Sequence, residues 1–307
     1  MKLTALKPTV TLFLLSAVAA WAATEEKLNR RFSAQPGGAV VVEVDFGSVE
    51  VSTNGTSEVV VDVWRKIGRR KKADEAAFLR DNPVEFAQDG NTVTIRSHGK
   101  SKWSWSWSGR NQNEAKYTIT VPAQFNARLK TGGGGVHVVD LTGDVKAHTG
   151  GGGLSFARLH GALDGETGGG SVSAGSCEGA LNFRSGGGGI EVTDGSGSLS
   201  GATGGGSVSV RRFQGPAHVT SGGGGVTIER VEGAVNASTG SGGISVTVPG
   251  TAAFNLDAKT SGDTVSTDLP VTVVGKVEHG RLQGPVNGGG KLVQLRSGGG
   301  SIQLKKL

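Results

Sequence analysis

Three tryptophans in one short segment are the side chains of this sequence best suited to binding a ligand. Trp103, Trp105 and Trp107 alternate with serines, so in an extended segment all three indoles lie on one face. Cationic side chains flank them, namely Lys100, Lys102 and Arg110. Indoles next to cations can stack on sugar rings or lie at a lipid interface, so we treat these six residues as candidate surface contacts. The alternative is that the tryptophans pack inside the protein and plug an apolar end of the fold.

The other reactive residue types form no catalytic or metal-binding pattern. The six histidines are scattered, without the H-E-x-x-H spacing of a zinc site. There is no G-x-S-x-G nucleophile elbow, and the glycine runs lack the lysine spacing of a phosphate-binding loop. The one cysteine, Cys177, occupies a position that is mostly apolar in equivalent segments, which predicts a buried, unreactive thiol. We predict no catalytic residue, no cofactor and no bound metal.

The elements that must position these side chains are set by a strict internal period. From Thr131 to Ser238, six blocks of eighteen residues follow without a gap, and each begins with Thr or Ser and three glycines. A fixed short period predicts one small unit stacked on itself, with an apolar face that its neighbours cover. We number the positions of a block from 1 to 18 and call the same position in all blocks a column.

Apolar and polar residues alternate twice within each block. Columns 6 and 8 are apolar or small around a polar column 7, and columns 15 and 17 are apolar or small around a polar column 16. Alternation with period two indicates two short strands, each with one buried face. Column 13 is glycine in every block, which indicates a tight turn with positive φ or a close backbone approach. Two strands and two corners in eighteen residues are typical of one β-solenoid coil.

Three other structures fit parts of this pattern. A disordered glycine-rich tract would lack regular apolar columns, because it has no interior to fill. A calcium-binding β-roll would need an aspartate in each glycine-rich turn, whereas these runs lead directly into an apolar strand. The third alternative is an antiparallel meander of eighteen-residue hairpins, which the same alternation would also fit. We predict an all-β protein, a parallel β-solenoid of about 18-residue coils with a β-rich N-terminal head.

The chain divides into five predicted parts. Residues 1–22 read as a secretory signal, since Lys2 and Lys7 accompany an apolar stretch that ends in a small-residue cleavage site at Ala22. An uncleaved anchor is the alternative, and we predict no transmembrane segment after cleavage. The other parts are a polar leader at 23–37, a β-rich head or cap with the tryptophan-rich insertion at 38–130, glycine-led repeats at 131–260, and degenerate coils or a cap at 261–307.

The charge of the chain is mildly basic. The formal net charge is +6, and removal of Lys2 and Lys7 with the signal would lower it by two to +4. Such a balance is compatible with binding to anionic envelope polymers or lipid headgroups. The densest cationic cluster consists of Arg65, Lys66, Arg69, Arg70, Lys71 and Lys72. Behind a signal peptide we expect this cluster to be a solvated loop face, and we predict no nucleic-acid partner.

Several segments together resemble a known family. They are Gly47 to Val51, Tyr117 to Pro122, Leu282 to Gly290 and Ser297 to Ile302. With the order of the parts, they are similar to bacterial putative-adhesin β-strand-repeat proteins, a DUF4097-like group, from about Gly38 to Lys306. The resemblance implies a right-handed parallel β-helix-like fold and a cell-envelope location, and it carries over no catalytic residues.

These observations predict an exported bacterial envelope protein without catalytic activity. Its expected role is adhesin-like surface or matrix interaction, with cell-envelope polysaccharide or anionic surface polymers as partners. One alternative is a carbohydrate-active parallel β-helix enzyme, a polysaccharide lyase or hydrolase, which would need convergent carboxylates beside one solenoid face. A structural scaffold without a discrete ligand is the other.

Overall fold

The structure is a computed structural model that describes residues 23–69, 71–99, 112–273 and 279–307. These residues form twenty-five strands and one helix, α1 (Lys72–Asp81), which lies between β4 and β5 in the chain. The strands are β1 (Thr24–Ser33), β2 (Gly38–Val44), β3 (Ser48–Asn54), β4 (Glu58–Gly68), β5 (Glu85–Asp89), β6 (Thr92–Ser97), β7 (Gln112–Pro122), β8 (Phe125–Thr131), β9 (Val136–Val139), β10 (Val145–Thr149), β11 (Leu154–Ala157), β12 (Leu163–Thr167), β13 (Val172–Gly175), β14 (Glu178–Ser185), β15 (Ile190–Thr203), β16 (Val208–Gln214), β17 (Ala217–Ser221), β18 (Val226–Glu232), β19 (Val235–Thr239), β20 (Ile244–Val248), β21 (Phe254–Thr260), β22 (Val265–Thr267), β23 (Arg281–Val286), β24 (Lys291–Ser297) and β25 (Ile302–Lys306).

The strands stack in two ladders, which β15 joins because it runs from one into the other. Ladder one has the order β5-β6-β2-β8-β10-β12-β14-β15-β17-β19-β24-β21-β23. Ladder two has the order β1-β4-β7-β3-β9-β11-β13-β15-β16-β18-β20-β25-β22. Pairing is parallel except where β5, β23, β1 and β4 lie antiparallel at the ends. The predicted all-β solenoid is therefore confirmed.

Equivalent residues of successive blocks lie directly above one another. Val136, Leu154 and Val172 are paired in register across β9, β11 and β13. Their side chains are buried between the ladders, as are the residues of columns 8, 15 and 17. Column 8 and column 17 complement each other in size, since Phe156 shares a coil with Gly165 and Phe183 shares one with Ala174. This alternation of large and small side chains keeps the interior width of successive coils nearly constant.

The glycine corners are explained by the close stacking of backbones. In columns 2 and 4 an added Cβ would lie 1.9–2.4 Å from a carbonyl oxygen of the preceding coil, as at Gly168 and Gly170. In column 3 the space is open, and nothing lies within 4 Å of a Cβ built on Gly169. The sequence follows this difference, because the next block has Ser241 in column 3 but keeps glycine in columns 2 and 4. Column 13 shows both predicted properties, with positive φ from Gly143 to Gly215 and a close carbonyl contact.

The column 1 hydroxyl ties each coil to the one before it. Thr149 Oγ1 donates to the carbonyl of Gly134 at 2.7 Å and accepts from the backbone N–H of Gly152 at 3.2 Å. The same two bonds recur at Thr167, Ser185, Thr203, Ser221 and Thr239. These side chains are at most 5% exposed. A small hydroxyl residue is required here because both backbone groups would otherwise be buried without partners.

The N-terminal strands continue the stack of the repeats. β2 and β3 pair with β8 and β9 in the register of the repeats, with Val44 opposite Thr131 and Val49 opposite Val136. The segment expected as a polar leader contains β1, whose ten residues pair antiparallel with β4. The expectation of a solvated loop face is wrong for Arg65, which lies in β4 and is fully buried. It fails because Glu26 of β1 covers this guanidinium and forms an ion pair with it.

Spatial order and chain order differ at both ends. β2 and β3 lie inside β6 and β7, although they precede them in the chain. β24 and β25 lie inside β21 and β22, although they follow them. The strands therefore do not stack in chain order at either end, although β1 is both the first strand of the chain and the outermost strand of ladder two. Within the described ranges, no helix has the length and apolar character needed to cross a membrane.

Candidate functional site

The predicted tryptophan site lies outside the described residues. Lys100, Lys102, Trp103, Trp105, Trp107 and Arg110 all fall between residues 99 and 112. This stretch joins β6 in ladder one to β7 in ladder two, and both strands belong to the outermost coil of the N-terminal end. The tryptophan contacts therefore stay a prediction.

Three exposed cations form a cluster on the outer face of ladder one. Arg128 and Lys130 alternate along β8, and Lys146 of β10 is the register partner of Arg128. All three side chains point to solvent, and none is within 4 Å of a carboxylate in the described part of the chain. We call Arg128, Lys130 and Lys146 the basic patch. Neighbouring strands are roughly 4.8 Å apart, so the patch is compact and held on rigid backbone.

The acidic side chains around the basic patch are engaged with other partners. Glu43, the register partner of Lys130, accepts a hydrogen bond from Arg96 Nε at 2.9 Å, and this bond holds the pKa of Glu43 below its ordinary value. Asp164 accepts a hydrogen bond from Asn182 at 3.1 Å. Glu166 lies 3.6 Å from His148, which is the register partner of Lys130 in β10. Glu43 and Asp164 thus border the patch, as register partners of Lys130 and Lys146, but no cation of the patch forms an ion pair within 4 Å in the described part of the chain.

The corner that follows β9, β11, β13 and their equivalents shows the opposite arrangement. Its column 10 residues all adopt left-handed backbone, with φ between 50° and 60° at Asp140, Arg158, Ser176, Asp194, Arg212 and Arg230. Arg158 Nη2 donates to Asp140 Oδ2 at 2.9 Å, and Arg212 Nη2 donates to Asp194 Oδ2 at 2.7 Å. These hydrogen bonds lower the pKa of both aspartates and raise the pKa of both arginines. Arg158 and Arg212 are therefore neutralised within the protein, whereas Arg230 of the same corner approaches a carboxylate only at 3.9 Å, that of Glu229.

The remaining titratable groups are dispersed. His160 Nδ1 lies 3.2 Å from Glu178 Oε2. His160 and His148 are in different columns of the repeat, so they do not form a pair. Across the described ranges, no three histidine, cysteine or acidic side chains come together as a metal site would require. Cys177 is buried, and its burial raises the pKa of the thiol. Its burial agrees with the expectation for this column.

The basic patch was missed in the sequence although a signal for it was present. Arg128 and Lys130 precede the first glycine run, so they lie just outside the six blocks. Counting back eighteen residues from Lys146 and His148 reaches these two positions. Extending the period by one strand would have shown the cations on one face.

The family follows from a comparison that covers most of the chain. The family model described as Toastrack DUF4097 matches residues 40–305. The protein belongs to this family. The matched residues of this Toastrack protein include β3 to β24 and the basic patch. This membership confirms the resemblance drawn from the sequence.

The chain is also similar to several solved structures. One is a putative adhesin from Parabacteroides distasonis ATCC 8503, with 13% identity, a TM-score of 0.40, and coverage of 91% of this chain and 97% of that chain. A second is a putative adhesin from Bacteroides fragilis NCTC 9343, with 15% identity, a TM-score of 0.35, and coverage of 92% and 97%. A third is a putative cell adhesion protein from Clostridium sporogenes ATCC 15579, with 13% identity, a TM-score of 0.24, and coverage of 92% and 100%. Comparison with curated proteins gave no match.

Proposed function

We propose that this Toastrack protein is exported to the bacterial cell envelope and binds anionic polysaccharide there without chemical turnover. The observation that carries the proposal is the basic patch, three exposed cations on a rigid sheet face, none of them within 4 Å of a carboxylate among the residues that the structure describes. The signal-like N-terminus and the adhesin names of similar proteins agree with a surface location. Membership of the family supports the fold that presents the patch.

The geometry of the patch suits a polymer that carries regularly spaced carboxylates. Arg128 and Lys146 lie on adjacent strands, whereas Arg128 and Lys130 lie two residues apart on one strand. These separations are roughly 5 and 7 Å, so successive anionic groups of one chain can each meet a cation. Contacts of this kind are exposed and individually weak, which makes the affinity depend on several charges and on ionic strength.

The tryptophan segment extends the proposed surface. It follows β6, which is separated from β8 of the basic patch by β2 alone. Stacking of indoles on sugar rings would add apolar contact area to the ion pairs. We propose that Trp103, Trp105 and Trp107, with Lys100, Lys102 and Arg110, contact the same polymer.

Binding of the full chain to polygalacturonate in low salt tests the patch. The triple variant Arg128→Gln, Lys130→Gln, Lys146→Gln should lose affinity by about tenfold, which corresponds to about 1.4 kcal/mol. The matched control is Arg158→Gln, Arg211→Gln, Arg212→Gln, which removes the same charge from cations already paired with Asp140, Glu191 and Asp194. Equal losses in both triple variants would show that only net charge matters. Binding to anionic lipid vesicles but not to the polymer would replace polysaccharide with membrane as the partner.

Two further experiments test the remaining parts of the proposal. Replacing Trp103, Trp105 and Trp107 together by Ala should weaken polymer binding, and unchanged binding would exclude the tryptophans from the proposed binding surface.

Expression in a bacterial host with a secretion pathway should give an exported chain whose first residue is Ala23. An intact N-terminus at Met1 in the cytoplasmic fraction would contradict export.

A further inference from the structure

In most coils an apolar side chain fills the corner that columns 10 to 13 form. These side chains, which we call the plug, come from column 11, where Leu141, Leu159, Cys177 and Phe213 are at most 1% exposed. Gly195 is the exception, and the ring of Phe213 fills the space beside it. The stacked corner therefore has a continuous apolar filling from β9 to β16.

This filling ends at Val231. The equivalent position of the following coil is Pro249, where the chain leaves the stack and crosses to β21. β21 does not pair with β19, because β24 occupies the place between them. Val231 is half-buried, whereas its counterparts in the preceding coils are fully buried.

A cavity of about 510 Å³ opens where the plug is missing. Its walls are apolar and come from both ladders, with Ile228, Val246 and Val248 on one side and Val235, Phe254 and Val293 on the other. Its volume falls within the roughly 300–1,000 Å³ typical of small-molecule sites. An empty apolar cavity forfeits packing contacts, so an apolar occupant would stabilise the fold.

Charged side chains lie only at the mouth of the cavity. Arg230, Glu232 and Lys291 line it there. Lys291 has no carboxylate within 4 Å in the described part of the chain, and Arg230 reaches Glu229 at 3.9 Å. An apolar interior beside two weakly neutralised cations matches a ligand with one hydrocarbon chain and one anionic group.

We propose that this cavity binds a single-chain carboxylate amphiphile, such as a free fatty acid. The hydrocarbon chain lies between the two ladders, and the carboxylate faces Lys291 and Arg230. The site is on the C-terminal corner of the stack and uses none of the residues of the basic patch. It is therefore independent of the polysaccharide proposal.

Fluorescence titration of the purified full chain with dansyl-undecanoic acid, with dodecanoate as competitor, tests the cavity. Val231→Phe stacks a ring over Phe213, its register partner, and fills the cavity, so probe affinity should fall by about tenfold or more. The control, Thr227→Phe, adds the same ring to the exposed face of β18 and should leave affinity unchanged within about twofold. If Val231→Phe does not fold, Ala252→Phe blocks the same cavity from the opposite wall.

A charge variant separates an amphiphile site from a plain apolar void. Lys291→Gln should weaken competition by dodecanoate about fivefold and leave competition by dodecanol unchanged. Equal binding by wild type and both filled variants would overturn the site. Equal effects of Lys291→Gln on acid and alcohol would overturn the role of the carboxylate, and binding to phospholipid vesicles without binding of monomeric dodecanoate would overturn the choice of ligand.

Discussion

In the N-terminal region, buried polar groups are held by contacts that occur once, whereas in the repeats one contact recurs in every coil. Arg65 donates from Nε to Glu26 at 2.7 Å and from Nη1 to the carbonyl of Asn82 at 2.6 Å. Glu75 accepts hydrogen bonds from Thr24 at 2.5 Å and from the backbone N–H of Arg69 at 3.1 Å. In the repeats, every coil uses the same contacts: the column 1 hydroxyl bonds to the backbone, and the glycines of columns 2 and 4 allow the backbones to stack closely. The same two ladders are thus stabilised by unique ion pairs at one end and by a repeated backbone contact along their length.

The largest expected effect concerns the unique ion pair of the N-terminal region. Glu26→Gln leaves the Arg65 guanidinium buried without a charged partner, so the free energy of unfolding should fall by about 3 kcal/mol. The control is Glu58→Gln, which breaks the exposed pair with Arg31 on the same two strands and should cost less than about 1 kcal/mol. Urea denaturation measures both. Equal losses would mean that burial does not distinguish the two pairs.

The next largest effect tests the repeated backbone contact. Gly170→Ala places a Cβ 2.0 Å from the carbonyl oxygen of Gly152, so the coils must separate locally and stability should fall by about 2 to 3 kcal/mol. Gly169→Ala meets no atom within 4 Å and should change stability by less than about 0.5 kcal/mol. Urea denaturation of the two alanine variants measures the difference in their free energies of unfolding. A tolerated alanine at both positions would contradict the close stacking of the glycine corners.

A smaller effect is expected for the column 1 hydroxyl. Thr167→Val keeps the shape but leaves the carbonyl of Gly152 and the N–H of Gly170 buried without partners, at a cost of about 1 to 2 kcal/mol. Thr167→Ser keeps the hydroxyl, as in Ser185 of the next coil, and should be nearly neutral. Thermal unfolding measures both variants. An unchanged stability in the valine variant would contradict the role of the hydroxyl, since this variant removes both of its hydrogen bonds and keeps the methyl group.

The smallest effect is the pH dependence that Glu75 of the N-terminal region contributes. The hydrogen bond from Thr24, followed by that from Arg69, lowers the pKa of Glu75 from 4.5 to about 2. Because the folded pKa is depressed, this stabilisation is complete above the ordinary pKa and is lost as pH falls from about 4.5 toward about 2. The difference in melting temperature between wild type and Glu75→Gln should therefore shrink over that window. Asp89→Asn, which removes an exposed carboxylate of β5, serves as control, and an undiminished Glu75→Gln difference would exclude the titration.

The repeats were predictable from the sequence because each side chain there repeats its role every eighteen residues. Column 6, column 13 and the two strand positions of each block were placed correctly, although in the fourth block β15 runs through both positions as one strand. β1 was not expected, since its charged residues are typical of a solvated segment, yet they suit an edge strand whose backbone pairs with β4.

The parts that escaped prediction depend on pairings between distant segments. Nothing local in β2 specifies that it lies between β6 and β8, because valine-rich strands can pair in many orders. The cavity depends in the same way on the path from Pro249 to β21, which no column describes. The basic patch lay between these cases, since its period was present in the sequence but began one strand before the first glycine run.

The interleaved ends change how this stack can be dismantled. An ordinary column of coils can peel away one layer at a time from either extremity, whereas here the coil of β2 and β3 and that of β24 and β25 are each clamped between two others. At the N-terminal end β1 pairs, among the described strands, with β4 alone and can be pulled away first, whereas at the C-terminal end β25 lies between β20 and β22 and must be sheared from both at once. The C-terminal end therefore resists layer-by-layer unravelling without any disulfide.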